Sequence, residues 1–181
     1  VTSTIQVISA ENIPFERWST YELWAIAVGG APGFYSHSET WQPTTNGTPI
    51  NSTTVTISPA GQVLGATVFA DPLGPGRAWE VVFTNSGTGN RLHAGNFIST
   101  NTFNDLGYAG DDSTSWYNSD GTIDDADGPS ISASPWSDGD VIGIVWAGTF
   151  TGYFLNGVFQ GQVYNLGAGE PSQVFAGVRP A

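Results

Sequence analysis

Asn156-Gly157 stands between two apolar runs, Tyr153-Phe154-Leu155 and Val158-Phe159. Both residues of such a pair accept positive φ, which the two-residue turn of a twisted hairpin requires. The pair therefore predicts two antiparallel strands at 150–155 and 158–163. Similar spacing recurs along most of the chain. Apolar or β-branched runs at 53–58, 62–70, 77–84, 90–98, 141–147 and 173–178 are separated by Gly, Pro, Asn or Asp. Alternation of period two is clear in Thr54-Val55-Thr56-Ile57 and in Gly143-Ile144-Val145-Trp146. Many short strands with such turns predict an all-β chain folded as an antiparallel two-sheet β-sandwich or barrel.

Two regions fit less well. Residues 2–10 are β-branched and predict a strand. At 14–28, Phe15, Trp18 and Glu22 fall at helical spacing, while Leu23 to Val28 is a short continuous apolar run. That reading predicts a helix or turn at 14–20 and a strand at 21–28. Residues 1–40 are accordingly expected to form an N-terminal arm or added strand, packing on or swapping from a core formed by 41–181. The stretch 99–140 is rich in Ser, Asp, Gly and Asn, with Trp116, Tyr117 and Trp136 embedded in it. A region that long is expected to be functional or to hold further short strands.

Charge narrows the partners. Four Arg, no Lys and sixteen acidic residues give a net charge of −12. Phosphate recognition needs clustered cations, and these Arg are scattered at 17, 77, 91 and 179. Nucleic acid and anionic lipid are therefore unexpected partners, and no apolar run is long enough to insert into a membrane. With no Cys, neither disulfides nor thiolate metal sites contribute. Asn46-Gly47-Thr48 and Asn51-Ser52-Thr53 match the glycosylation pattern, which matters only in a secreted eukaryotic protein.

A family resemblance lies in the order of several short segments. They are Gly76-Arg77-Ala78-Trp79-Glu80-Val81, then Leu106-Gly107-Tyr108, then Ser115-Trp116-Tyr117 with Asp120-Gly121-Thr122. Asp138-Gly139-Asp140-Val141-Ile142-Gly143 and Tyr153-Phe154-Leu155-Asn156-Gly157 follow. Together they resemble a SPRY domain over about residues 41–181. The closing segment departs from it, with Pro171-Ser172-Gln173-Val174-Phe175 in place of the family's Leu-Tyr-Pro. The resemblance implies a concanavalin A-like jelly roll that recognises a protein or another ligand through loops at one end. It also implies that Trp116 is a core residue and Glu80 a structural carboxylate, paired with Arg77 or Arg91.

Catalysis finds little support in the residues. A glycoside hydrolase needs two carboxylates about 5–9.5 Å apart, and Glu80 is alone on its predicted strand. An enzyme reading would rest on Glu80 and on turnover lost in Glu80→Gln. His37 and His93 are the only imidazoles, and no Gly-x-Ser-x-Gly turn accompanies them. No catalytic residue is assigned, and the chain is expected not to be an enzyme.

The densest acidic cluster is Asp111, Asp112, Asp120, Asp124, Asp125 and Asp127. Its oxygens suit either capped turns or calcium, and Asp120, Asp124, Asp125 and Asp127 are the calcium candidates. No other cofactor is expected. Tyr108, Tyr117 and Trp136, with Asp111 and Asp112, are the candidate ligand-binding residues of a loop platform. Trp79, Trp146, Phe154 and Phe175 are expected in the core.

The leading expectation is a non-catalytic binding module in an extracellular setting: secreted, on a cell surface or on a virus particle. Its partner would be a protein surface or a glycan. The alternatives are a structural assembly protein of a virion, filament or surface layer, whose residues 1–40 form a homo-oligomer by strand addition, and a glycan-active enzyme.

Overall fold

In the computed structural model, the described residues are 3–9, 12–29, 40–42, 47–49, 54–57, 64–69, 77–87, 91–97, 113–125, 128–164 and 173–179. Two antiparallel sheets of seven strands each form the sandwich. The first sheet contains β1 (Ser3–Ser9), β3 (Gly47–Pro49), β4 (Thr54–Ile57), β6 (Arg77–Thr84), β11 (Val141–Trp146), β12 (Phe150–Leu155) and β13 (Val158–Tyr164). Their order across the sheet is β13-β12-β11-β6-β1-β4-β3. The second contains β2 (Thr40–Gln42), β5 (Leu64–Phe69), β7 (Arg91–Phe97), β8 (Ser113–Asn118), β9 (Thr122–Asp125), β10 (Ile131–Ser132) and β14 (Gln173–Arg179). Their order is β10-β9-β8-β7-β14-β5-β2. The expected all-β sandwich is the observed fold.

Alternation along the strands builds the core. Ile5 and Val7 of β1, Trp79, Val81 and Phe83 of β6, and Ile142 and Ile144 of β11 face inward from the first sheet. Leu92 and Ala94 of β7, Tyr117 of β8, Ile123 of β9 and Ala176 of β14 meet them from the second. Residues between these point to the opposite faces, because side chains alternate along a strand. One end of the interior is polar. Asn96 donates to the Thr151 hydroxyl at 2.8 Å, and the Ser115 and Tyr153 hydroxyls lie 2.7 Å apart. All four residues are fully buried, so this network gives each a partner where water is absent.

The expected turn at Asn156-Gly157 is present, with φ of 50° and 82°. Asn156 also ties the hairpin to β11. Its side-chain oxygen accepts from the Val141 amide at 2.9 Å, and its amide donates to Asp140 at 2.8 Å.

The N-terminal segment agrees with expectation in part. The strand expected at 2–10 is β1 (Ser3–Ser9), added to the first sheet between β6 and β4. Thr4–Gln6 pair on both sides within the chain, which leaves those residues no open edge for strand addition. Residues 21–28 are not the expected strand. One helix, α1 (Phe15–Ala27), covers this segment. Tyr21 and Ala25, one helical turn apart, are its buried residues.

Glycines in the sheet make the seat for α1. A Cβ at Gly143 of β11 would collide with the Tyr21 ring and hydroxyl, and a Cβ at Gly152 of β12 would lie 2.7 Å from the Trp24 ring. These two positions leave a hollow on the outer face of the first sheet. A second apolar cluster fills it: Ile13, Tyr21, Ala25, Ala78, Val145, Ala147 and Phe154. Trp24 lies edge-on to Phe154 and stacks on Phe159, and its indole N–H donates to Gln162 at 3.1 Å. No helix among the described residues is long and apolar enough to cross a membrane.

Candidate functional site

Glu80 lies beneath α1. It is fully buried on the outer face of β6. Its two oxygens accept from Arg17 Nε at 2.6 Å and Arg17 Nη2 at 3.0 Å, and one also accepts from the Tyr21 hydroxyl at 2.7 Å. The hydrogen bond to Glu80 raises the Arg17 pKa. Burial, reinforced by the Glu80 charge, raises that of Tyr21. Glu80 is therefore structural, as expected, but its partner is Arg17 rather than Arg77 or Arg91. Clamped and shut off from solvent, Glu80 is not placed as a glycosidase carboxylate.

Two of the expected platform residues also lie inside. Tyr117 occupies an inward position of β8 and Trp136 packs over the same end of the core, against Phe83 and Tyr117. The Tyr117 hydroxyl donates to the Ser134 carbonyl. Burial and the nearby Asp140 charge push its pKa up to about 12. A large ring fills the gap between sheets better than it tolerates water, and these two rings close one end of the sandwich. They are not an exposed platform. Tyr108, Asp111 and Asp112 lie outside the described residues.

Two of the calcium candidates, Asp120 and Asp124, are bonded to other side chains of the chain. Asp120 accepts from the Thr122 amide and hydroxyl and pairs with Arg91 Nη2 at 2.7 Å. Asp124 accepts from Asn118 and from the Ser130 hydroxyl, both at 2.6 Å. Asp125 sits on β9, and Asp127 lies outside the described residues. Among the described residues no three His, Asp or Glu side chains converge as a metal site.

A different constellation stands on the outer face of the second sheet. Inward Leu92, Ala94, Tyr117 and Ile123 alternate with outward Arg91, His93, Trp116, Asn118, Thr122 and Asp124. Strand register brings the outward set together: His93 lies opposite Asn118, and Trp116 opposite Asp124. Hydrogen bonds then link three strands. His93 Nδ1 donates to the Asn118 carbonyl oxygen at 2.5 Å. The Asn118 amide donates to Asp124 and, at 2.9 Å, to the Thr122 hydroxyl. Arg91 Nη2 reaches the Thr122 hydroxyl at 3.2 Å. His93, Asn118 and Trp116 are buried and form the floor, while Arg91, Asp120 and Ser130 reach solvent at the rim. Gly95 permits this packing, since a Cβ there would lie 2.8 Å from the Trp116 backbone.

Sequence reasoning weighed His93 alone and did not assemble this set. The signal was nevertheless present. Arg91-Leu92-His93-Ala94, Trp116-Tyr117-Asn118 and Thr122-Ile123-Asp124 each place an outward-facing residue two positions from another, around an inward apolar one.

No family model matches the chain, and no curated protein does. Solved structures similar to this chain include a galectin and an alginate lyase. Galectin LEC-6 of Caenorhabditis elegans is 14% identical over 81% of this chain and 94% of its own, with a TM-score of 0.37. Alginate lyase AlgAT5, of polysaccharide lyase family 7, is 12% identical over 81% of this chain and 73% of its own, with a TM-score of 0.30.

Proposed function

We propose that this chain is a non-catalytic, extracellular recognition module that binds a glycan on the outer face of its second sheet. One observation carries the reading: Arg91, Asp120, Thr122 and Asp124 reach the surface together, held by hydrogen bonds to one another and to the buried Asn118 and His93 beneath them. Sugar hydroxyls both donate and accept. They are best met by polar side chains whose positions are already fixed. Here neighbouring strands fix the array before any ligand arrives. The face favours a neutral sugar. Its Arg91 charge is paired with Asp120, and Asp124 adds a carboxylate that would repel an acidic ligand. The SPRY resemblance is compatible with a recognition role, but it places the contact in end loops rather than on this face.

A panel of neutral and acidic oligosaccharides tests the proposal, with titration calorimetry on any that bind. Arg91→Ala and Asp124→Asn should each weaken binding at least tenfold while the cooperative thermal transition persists. Absence of binding across the panel, or binding unchanged in both variants, would overturn it.

A further inference from the structure

The exposed large apolar side chains are not scattered. Among the described residues they are Phe15, Leu23 and Ile26 on α1, and Val158, Phe159 and Tyr164 on β13. Val158 is 63% exposed, Phe159 45% and Tyr164 50%. β13 is also the outermost strand of the first sheet.

An edge strand presents unpaired N–H and C=O groups, and proteins usually blunt such edges with shortness, charge or proline. The other three edges among the described strands are blunted. β3 has three residues and ends in Pro49, β10 has two residues, and β2 has three. β13 has seven, Val158-Phe159-Gln160-Gly161-Gln162-Val163-Tyr164, with no charge and no proline. In a chain of net charge −12, a neutral strip this long is where a second copy can approach with the least repulsion. With Gln160 bulged, Phe159, Gln162 and Tyr164 share the outer face and Gly161 and Val163 the inner one. An antiparallel copy centred on Gln162 would therefore set Gln162 against its own copy and Gly161 against Val163, each on one face, as a two-fold interface requires. A register shift opposite Tyr153 and Phe154 makes Gln160 an extra, bulged residue. Gly161–Tyr164 is left as the regular part of the ladder.

We infer that two copies of this chain associate through antiparallel pairing of their β13 edges, joining their first sheets into one. The occupant of the edge is a second copy of the chain. The inference is independent of the glycan reading, since β13 and the Arg91 face lie on different sheets. A single strand pair with about 13 Å of regular ladder is small beside the roughly 1,600 Å² of a standard stable interface. The dimer is therefore weak, in the micromolar range. Its interface carries no ion pair, so salt strengthens it by screening the two net charges.

Sedimentation velocity on the full chain, over a concentration series at low and high salt, tests this. The sedimentation coefficient should rise with concentration, and rise further with salt. A Val158→Lys, Tyr164→Lys double variant should remain monomeric with its thermal transition retained. A Leu23→Glu, Ile26→Glu double variant should dimerise as the parent does. Amide hydrogen exchange on the unmodified chain gives a second readout, in which Gly161–Tyr164 should gain protection as concentration rises. A parent chain that is monomeric throughout would overturn the inference. So would association lost in the helix variant but kept in the strand variant, or exchange in β13 that does not respond to concentration.

Discussion

Arg17 in the first turn of α1 and Glu80 in the middle of β6 form a forked ion pair, with contacts of 2.6 and 3.0 Å, across 63 residues of sequence. The Glu80 end is wholly buried, while 28% of the Arg17 side chain meets solvent. Removing the cation leaves a carboxylate under the helix with Tyr21 as its remaining partner in this cluster. Arg17→Met should therefore destabilise the fold by about 3–5 kcal/mol in urea unfolding. The Arg17→Met, Glu80→Leu double variant should recover most of that loss, because an apolar pair of similar volume needs no compensating charge. A double variant as unstable as the single would mean that the pair does more than neutralise a buried charge. Tyr21→Phe keeps the ring in its seat and loses only a hydrogen bond to a carboxylate, for about 1.5–3 kcal/mol.

The glycine seat makes a separate prediction. In Gly152→Ala the new methyl would stand 2.7 Å from two atoms of the Trp24 ring, and in Gly143→Ala it would meet Tyr21. Neither contact is sterically tolerable, so α1 must shift outward. Each substitution should cost about 1–3 kcal/mol, the usual penalty for overpacking. Tryptophan fluorescence should move to the red in Gly152→Ala as Trp24 becomes wetter. An unshifted spectrum together with unchanged stability would mean that the helix is not seated on these glycines.

What could be read from the sequence followed where the period-two pattern survives. β6 and β12 occupy the expected 77–84 and 150–155, because their inward residues are apolar and their ends carry turn residues. β8, β9 and β10 were hidden within 99–140. Ser115 takes an inward position of β8 where an apolar residue would have marked the strand, and it bonds the Tyr153 hydroxyl across the sandwich. Asn118 and Asp124 face outward, bond each other between β8 and β9, and belong to the outer-face array. In α1 the difficulty ran the other way. Leu23 and Ile26 are apolar yet exposed, so the run 23–28 lost the polar face that identifies a helix. Tyr117 and Trp136 were expected outside because they sit among loop-like residues. Position relative to the sheets decides burial, and that was not visible before β8 was recognised.

The hairpin turn permits a cleaner test. Asn156 and Gly157 both adopt positive φ, and Asn156 also caps the start of β11 through Val141 and Asp140. Gly157→Ala should cost about 1 kcal/mol, from backbone conformation and from a Cβ 3.1 Å from the Arg17 side chain. Asn156→Ala should cost more, about 2 kcal/mol, since it forfeits the side-chain bonds as well as the backbone preference. Equal costs would mean that the bonds to β11 add nothing.

Alkaline titration probes the buried hydroxyls together. Burial raises the pKa of Tyr21, Tyr117 and Tyr153, with Tyr117 reaching about 12. In the unfolded chain each would ionise near 10. Between the two values the unfolded chain loses protons that the folded chain keeps. The stability these groups contribute is thus complete below about pH 10 and declines as pH rises through the folded values. Urea unfolding should show little tyrosine-linked change up to about pH 9, then a progressive fall. Phenolate absorbance should show that at least three of the six tyrosines ionise only with unfolding. Tyr153→Phe should remove one residue from the late fraction and, by leaving Ser115 without its hydroxyl partner, lower stability at neutral pH by about 1–2 kcal/mol. Titration of all six tyrosines near 10 in the folded chain would contradict the buried placement of these rings.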